Sequence, residues 1–436
     1  MIHELTKLAP GMWLFPKNSE HCCIYRVPER LRRVNPEAYT PQLLLIGPLH
    51  HSLKSQALKS LGDITYTKSM GYLNMEEHKK IYLVEFAQRV DGKETIDGFK
   101  RLIEEDEEII RASYSESTAW IESLEFVKMI LHDSVFILEF LLRTYHKGAS
   151  IEKTEDILMD EPCLQNTVHE DLTLLENQLP YFIFEKLFDP VIKRLHPNMT
   201  FRKLIITYFG LQGKIGNNSK FKHFTDLFRC VRMETIGSRG SEMDSRNKGD
   251  GFKNIEQMYN ADKLDSVGVK FEAVEDEFSL EVGFVNGCLK IPCFWVRDDV
   301  EMKLRNIMAL EQCHYPFNAY VCNYVMFLDF LVDTDKDVDL LVENGIIKNW
   351  IGHQSLVAEM VNKLSLGVVE VGSYYSDIAL EVNAHYANPV NRSRAVLMRV
   401  YFGNLWTGTA TVAATFLLLM TLVQTVASII QVLQNA

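Results

Sequence analysis

Residues 120–146 read WIESLEFVKMILHDSVFILEFLLRTYH. Phe126, Met129, Ile130, Val135, Phe136, Leu138, Phe140 and Leu141 make the run strongly apolar. Apolar residues spaced three and four apart share one helical face. Glu125, Lys128, His132, Asp133, Glu139 and Arg143 interrupt it too often for a membrane span. The stretch therefore reads as a central core helix, and the fold class as mainly α.

The C-terminus gives the opposite answer. Residues 406–433 read WTGTATVAATFLLLMTLVQTVASIIQVL, and the last charge in the chain is Arg399. About 20 mainly apolar residues suffice to cross a bilayer core of ~30 Å. Phe416, Leu417, Leu418, Leu419, Leu422, Val426, Ile429 and Ile430 supply the apolar surface, and Trp406 would anchor at headgroup level. Threonine and serine are tolerated there because they bond back to their own helix. A soluble helix of this length would carry a polar face. A single transmembrane anchor is expected over 404–433, with the lipid bilayer as partner. Arg392, Arg394 and Arg399 precede it, so the positive-inside rule places the body in the cytosol, on the plasma membrane or an endomembrane. The N-terminus has no signal-peptide pattern. The triplets at Asn198, Asn217 and Asn391 fit the N-glycosylation pattern, which matters only for a lumenal body.

Composition excludes some functions. Net charge is −12, which argues against a nucleic-acid surface. The 8 cysteines form no CxxC pair, so reduced thiols are expected. Nothing resembles a GxSxG elbow or an HExxH site, and Gly210, Gly213 and Gly216 around Lys214 have the wrong spacing for a phosphate loop. No cofactor and no metal are expected. His50 and His51 are adjacent, and neighbouring side chains point apart, so one ion is poorly served by both.

The order of elements follows from punctuation and period. Pro28, Pro36 and Pro41 break up the N-terminal segment, leaving 42–46 as a buried strand or extended run before a Gly47-Pro48 turn. Asn74 is expected to cap a helix from Met75, and Gly92 to end it. The acids of 104–108 read as a solvated helix face. Leu172, Leu175, Leu179, Phe182 and Ile183 make a helical stripe that Pro180 must kink or restart. Residues 234–265, with GSRGSEMDSRNKGDG, read as a flexible linker or insertion between residues 1–233 and 266–403 of one body. After it the residues alternate over 267–274, 278–285 and 288–296, and Asn286-Gly287 is a strong hairpin signal. The expected architecture is a large helical globular body, a small antiparallel β-meander and one C-terminal transmembrane helix. Helices resume near Val300 and continue through 315–333, 336–344, 353–365 and 376–402.

Candidate residues follow. Arg26, Arg30, Arg32 and Arg33 form the densest basic cluster, suited to an anionic ligand or to salt bridges with the body. Asn177 and Gln178 can repair the helix break or line a polar pocket with Glu176 as general base. Binding candidates are Arg26, His50, His51, Asn177 and Gln178. Catalytic candidates are Asp133, Glu139, Asp171 and Glu176.

Several phrases carry a resemblance. Ile24-Tyr25-Arg26-Val27-Pro28, Asn35-Pro36-Glu37-Ala38-Tyr39-Thr40-Pro41 and Ile46-Gly47-Pro48-Leu49-His50-His51 come first. Met75-Glu76-Glu77-His78-Lys79, Leu174-Leu175-Glu176-Asn177-Gln178-Leu179-Pro180, Asn286-Gly287-Cys288-Leu289-Lys290-Ile291-Pro292 and Arg305-Asn306-Ile307-Met308-Ala309-Leu310-Glu311-Gln312 follow in order. Together with Tyr401-Phe402 and the apolar tail, they resemble the plant-specific domain of unknown function 247 family. Some members of that family are associated with self-incompatibility in grasses, which implies recognition of a protein or peptide rather than turnover. The alternative is a membrane-tethered enzyme with an unrecognised carboxylate site.

Overall fold

The computed structural model describes residues 9–14, 20–59, 67–148, 152–236, 253–402 and 405–435. The quoted stretch forms the Ser123–Lys147 helix, and it lies at the centre of the body with 14 buried residues. Phe126, Ile130, Phe136, Leu138, Phe140 and Leu141 are fully enclosed. The Thr67–Arg89 helix lies along it, and Tyr82 stacks on Phe136 at 5.1 Å. The Lys93–Glu105 helix packs beside both through Phe99 and Ile103, while Glu104, Glu105 and Glu108 face solvent. Gly148, at φ +50°, ends the central helix in a conformation that suits glycine.

Two helix boundaries differ from expectation. The second helix begins at Thr67, so Asn74 lies inside it rather than capping it. Its apolar face extends N-terminally to buried Tyr72, whose hydroxyl donates to the Pro41 carbonyl at 2.6 Å. That contact continues the helix past the polar signal. The stripe over 172–183 is also interrupted. The Pro162–Asp171 helix stops, 172–180 run without helix, and a new helix, Tyr181–Leu195, starts directly after Pro180. Towards the tail, 376–402 divides at Asn388-Pro389 into Ser376–Ala387 and Pro389–Tyr401.

The expected linker divides in two. Residues 237–252 lie outside the described residues. From 253 onward the chain packs, with Ile255, Met258, Ala261 and Leu264 buried and a short helix at Ala261–Ser266. Those four apolar side chains give the segment a core to join.

The strands correct the antiparallel meander. β1 (Lys270–Val274), β2 (Gly283–Val285) and β3 (Cys288–Pro292) form a mixed sheet in the order β1-β3-β2. β2 and β3 are the antiparallel hairpin signalled by Asn286-Gly287, both at positive φ as a tight hairpin turn requires. β1 runs parallel to β3. The chain between β1 and β2 packs on helices instead of pairing. Leu280 and Val282 are buried, and Tyr375 Oη holds the Leu280 carbonyl at 2.6 Å. A second pair, β4 (Phe294–Val296) and β5 (Ile347–Asn349), is parallel and joins residues far apart in sequence.

One core runs from Cys23 to Val382. The Leu405–Asn435 helix stands apart from it, and 27 of its residues, Leu405–Gln431, are long and apolar enough to cross a membrane. None of that window is buried against the body. Phe136→Ala removes a fully buried ring that also stacks on Phe140 at 5.9 Å. It is expected to cost about 3–5 kcal/mol. Leu124→Ala, on the same helix but 70% exposed, should stay within about 0.5 kcal/mol of wild type. Denaturant midpoints at constant slope measure both.

Candidate functional site

Residues 42–50 decide what the polar candidates do. The segment runs through the core from Leu44 onward, and no strand pairs with it among the described residues. Buried amides and carbonyls must nevertheless be hydrogen-bonded. Side chains fill that role. Asp171 accepts from the amides of Gln42, Leu43 and Leu44 at 2.7–2.8 Å. Asn177 accepts from Ile46 at 2.6 Å and donates to Leu44 and Asp171 carbonyls. Asp133 accepts from Gly47 at 2.8 Å. Lys79 donates to the Leu45 carbonyl at 2.5 Å and pairs with Asp133 and Glu76 at 2.6 Å each. Gly47, at φ +70°, has no room for a side chain, because a Cβ would lie 2.8 Å from the Gln178 carbonyl.

A second knot joins the basic cluster. Glu176 accepts from the Val27 amide at 2.6 Å and pairs with Arg26 at 2.8 Å and Arg32 at 2.5 Å. Arg26 also grips both oxygens of Glu116 at 2.8 Å and the Leu49 carbonyl at 2.9 Å. Arg33 pairs with Glu29 at the surface. Arg30 is exposed. His50 lies behind this knot, its Nε2 3.9 Å from Glu176 and without a hydrogen-bond partner among the described residues. Burial, then Arg26 and Arg32, pull its pKa down to about 3, so its ring is neutral. His51 turns the other way, to Glu125 at 3.0 Å and the Trp120 ring.

The remaining candidates are similarly placed. Gln178 donates to the carbonyls of Leu172 and Leu174 and accepts from the Phe224 amide, bridging the helix break to the Phe224–Met233 helix. Glu139 stands away from this group, holding Arg89 at 2.7 Å and Arg143 at 2.8 Å through one oxygen. Asp171 borders a cleft of about 290 Å³ with Glu37, Glu170, Asp298 and Glu301, but amides occupy both of its oxygens. Burial pushes its carboxyl up to about 6 against those donors. Asn198 and Asn217 are exposed, whereas the Asn391 amide nitrogen donates to the His385 carbonyl at 3.1 Å.

A larger, open cleft of about 730 Å³ lies beside the start of the Tyr181–Leu195 helix. Tyr181, Phe182 and Phe221 give it aromatic walls, and Glu20, Glu185, Arg202, Lys220 and Lys222 charge them. The Arg202 guanidinium stacks 4.9 Å over Phe221. The Tyr181 hydroxyl is buried beside Glu185, and burial, then that carboxylate, raise its pKa. Cys23 also lines the cleft, and burial pushes its thiol up to about 12, so it is no ready nucleophile.

The model of the family described as plant protein of unknown function, DUF247, matches residues 24–420. The chain belongs to the DUF247 family. It is similar to the UPF0481 protein At3g47200 of Arabidopsis thaliana, at 26% identity over 98% of this chain and 90% of that one. A second Arabidopsis thaliana UPF0481 protein, At3g02645, is 26% identical over 37% of this chain and 31% of its own length. No solved structure matches the chain at a significant level.

In this DUF247 chain, sequence reasoning overlooked Lys79 and Glu116. The Glu76–Lys79 spacing puts both on one helix face and was the available signal for Lys79. Nothing around Glu116 marks it as half of an arginine clamp.

Acid should loosen this knot. His132, His169 and His223 are held down to about 4 by burial, and His50 to about 3. These folded-state values lie below the ordinary imidazole pKa, so the unfolded chain binds protons first as pH falls. Stability is full above pH ~6.5 and is lost towards pH ~4, at about 1.4 kcal/mol per pH unit for each histidine. Asp171, its carboxyl raised to about 6, gains stability over the same window and offsets one histidine. The four histidines outnumber it, so urea midpoints should fall between pH 7 and 5, and His50→Gln should flatten that slope by about one histidine's share.

Proposed function

We propose that this chain is a membrane-anchored recognition protein whose cytosolic body binds a peptide segment of a partner protein in the open cleft beside Tyr181. The cleft carries this reading. It is roomy, aromatic on its walls and charged at its rim, as expected of a surface that takes an apolar side chain and orients its flanks. A membrane-tethered enzyme is the weaker reading. Asp133, Asp171 and Glu176 are each bonded to backbone amides or cations of the fold, which leaves them unavailable for proton transfer to a substrate.

The tail supports the anchoring half of the proposal through its length, lack of charge and separation from the core. Arg392, Arg394 and Arg399 at its N-terminal side favour a cytosolic body. Synthesis with microsomes tests this. Protease should digest the body outside the vesicles, and the exposed Asn198 and Asn217 should stay without glycans. A protected, glycosylated body would reverse the orientation.

The binding half is tested with the full chain in nanodiscs, presented to a random peptide library. Enriched peptides are expected to carry an aromatic or aliphatic residue next to a charge. Phe221→Ala and Lys220→Glu should each weaken them about tenfold, equivalent to about 1.4 kcal/mol. Lys100→Glu, away from the cleft, should leave binding unchanged. Failure to enrich any peptide, or binding indifferent to Phe221 and Lys220, would remove the cleft from the function.

A further inference from the structure

A second, more enclosed cavity of about 170 Å³ shares no lining residue with the open cleft. It lies where the Phe224–Met233 and Val300–His314 helices meet β4. Its walls are rich in aromatic rings, among them Phe209, Phe228, Phe278 and Phe294. A dry apolar cavity of about 150 Å³ is enough to hold a benzene ring. This one therefore admits a single six-membered ring with a small substituent, and excludes nucleotides, lipids and peptides.

The charges around it do not balance. Arg232, Arg297 and Lys303 line the cavity against Glu277 and Asp299. Arg297 holds Glu277 at 3.1 Å, and Lys303 holds Asp299 at 2.5 Å. His169 is neutral, pulled down to about 4 by burial and by Lys303. Glu311, the carboxylate on the neighbouring helix, is taken by Arg229 at 3.2 Å and by the amides of Val321 and Cys322. Arg232 is left with one hydrogen bond, to the Phe228 carbonyl at 3.1 Å, and no carboxylate pairs with it among the described residues. Its guanidinium lies 5.4 Å from the Phe278 ring centre. Burial lowers its pKa to about 10, although Glu277 and Glu311 act on it in the opposite direction without touching it. A half-buried guanidinium with no carboxylate in direct contact is costly, and a planar fork is shaped to receive two oxygens at once.

We propose that this cavity is a binding site for a small aromatic monocarboxylate, its ring among the phenylalanines and its carboxylate on Arg232. The ring accounts for the aromatic walls, and the carboxylate supplies the direct contact that Glu277 and Glu311 do not make. The size of the cavity limits the ligand to a benzoate-like acid.

Benzoate itself is the probe. Saturation-transfer NMR and calorimetry on the full chain in nanodiscs should show benzoate binding at a single site. Benzamide keeps the shape but not the charge, acetate keeps the charge but not the ring, and 4-tert-butylbenzoate exceeds the volume. Each is expected to bind at least about tenfold more weakly. Arg232→Met keeps the side chain's apolar stem and should lose benzoate by a similar factor while melting no lower than wild type. Absent benzoate binding, equal binding of benzamide or acetate, or an Arg232→Met variant that binds as well as wild type would each overturn the assignment. The ligand series on the unmodified protein decides the matter even if the variant misfolds. The outcome is also independent of the peptide cleft, because no residue lines both.

Discussion

The body depends on a run of buried backbone that has no strand to pair with. An unsatisfied amide or carbonyl in the core costs about 1–3 kcal/mol, and residues 42–50 contain several. Asp171, Asn177, Asp133, Lys79 and Arg26 reach them from three helices and two loops. The carboxylates tolerate burial for different reasons. Asp133 has the Lys79 ammonium beside it, which Asp133 and Glu76 together hold above its ordinary pKa in spite of burial. Asp171 has no cation and relies on three amide donors. Such bonds are stronger in a low dielectric, and for the same reason none of them can be removed cheaply.

The same device joins the two halves of the chain. Asn306 donates to the Ala38 carbonyl at 2.7 Å and accepts from the Leu175 amide at 2.9 Å. Thr225 bonds the Thr173 carbonyl, and Glu311 caps the start of the Tyr320–Leu331 helix while holding Arg229. Side chains that resemble catalytic groups by residue type are therefore joints of the architecture. The polar atoms not used in this way are informative by contrast. Arg232, which pairs with no carboxylate among the described residues, lines the small aromatic cavity. There a group without a direct carboxylate partner borders space that a ligand can fill.

Legibility in the sequence tracks the range of the interaction. Helices such as Ser123–Lys147 were readable because their period is local, and the Asn286-Gly287 hairpin because its turn chemistry is local. The parallel pairing of β4 with β5 was not, since its partners are about 50 residues apart and neither strand names the other. Glu176, Asn177 and Gln178 stood out as polar residues before a proline, yet only the fold shows that Glu176 meets Arg26 and Arg32. Arg232 carried no signal at all. It is one arginine on an amphipathic helix, and whether a carboxylate reaches it is a property of every element packed around it.

The tail obeys a stricter rule than the body. In hydrocarbon no water is available, so each polar group must be satisfied within its own helix. The threonines do this. Thr411 donates to the Thr407 carbonyl at 2.7 Å, and Thr415, Thr421 and Thr425 donate to the carbonyls four residues earlier at 2.8 Å. Leu417, Leu418 and Leu422 stay more than 60% exposed, with no part of the body covering them. An apolar surface of that length is far beyond what a soluble protein leaves open to water, and a bilayer is the environment that would cover it. Arg399 pairs with Asp265 of the body, while Arg392 and Arg394 remain exposed on the helix that leads to the tail. An exposed ion pair contributes little to stability. The pair at Asp265 is therefore a weak tie between the Pro389–Tyr401 helix and the body.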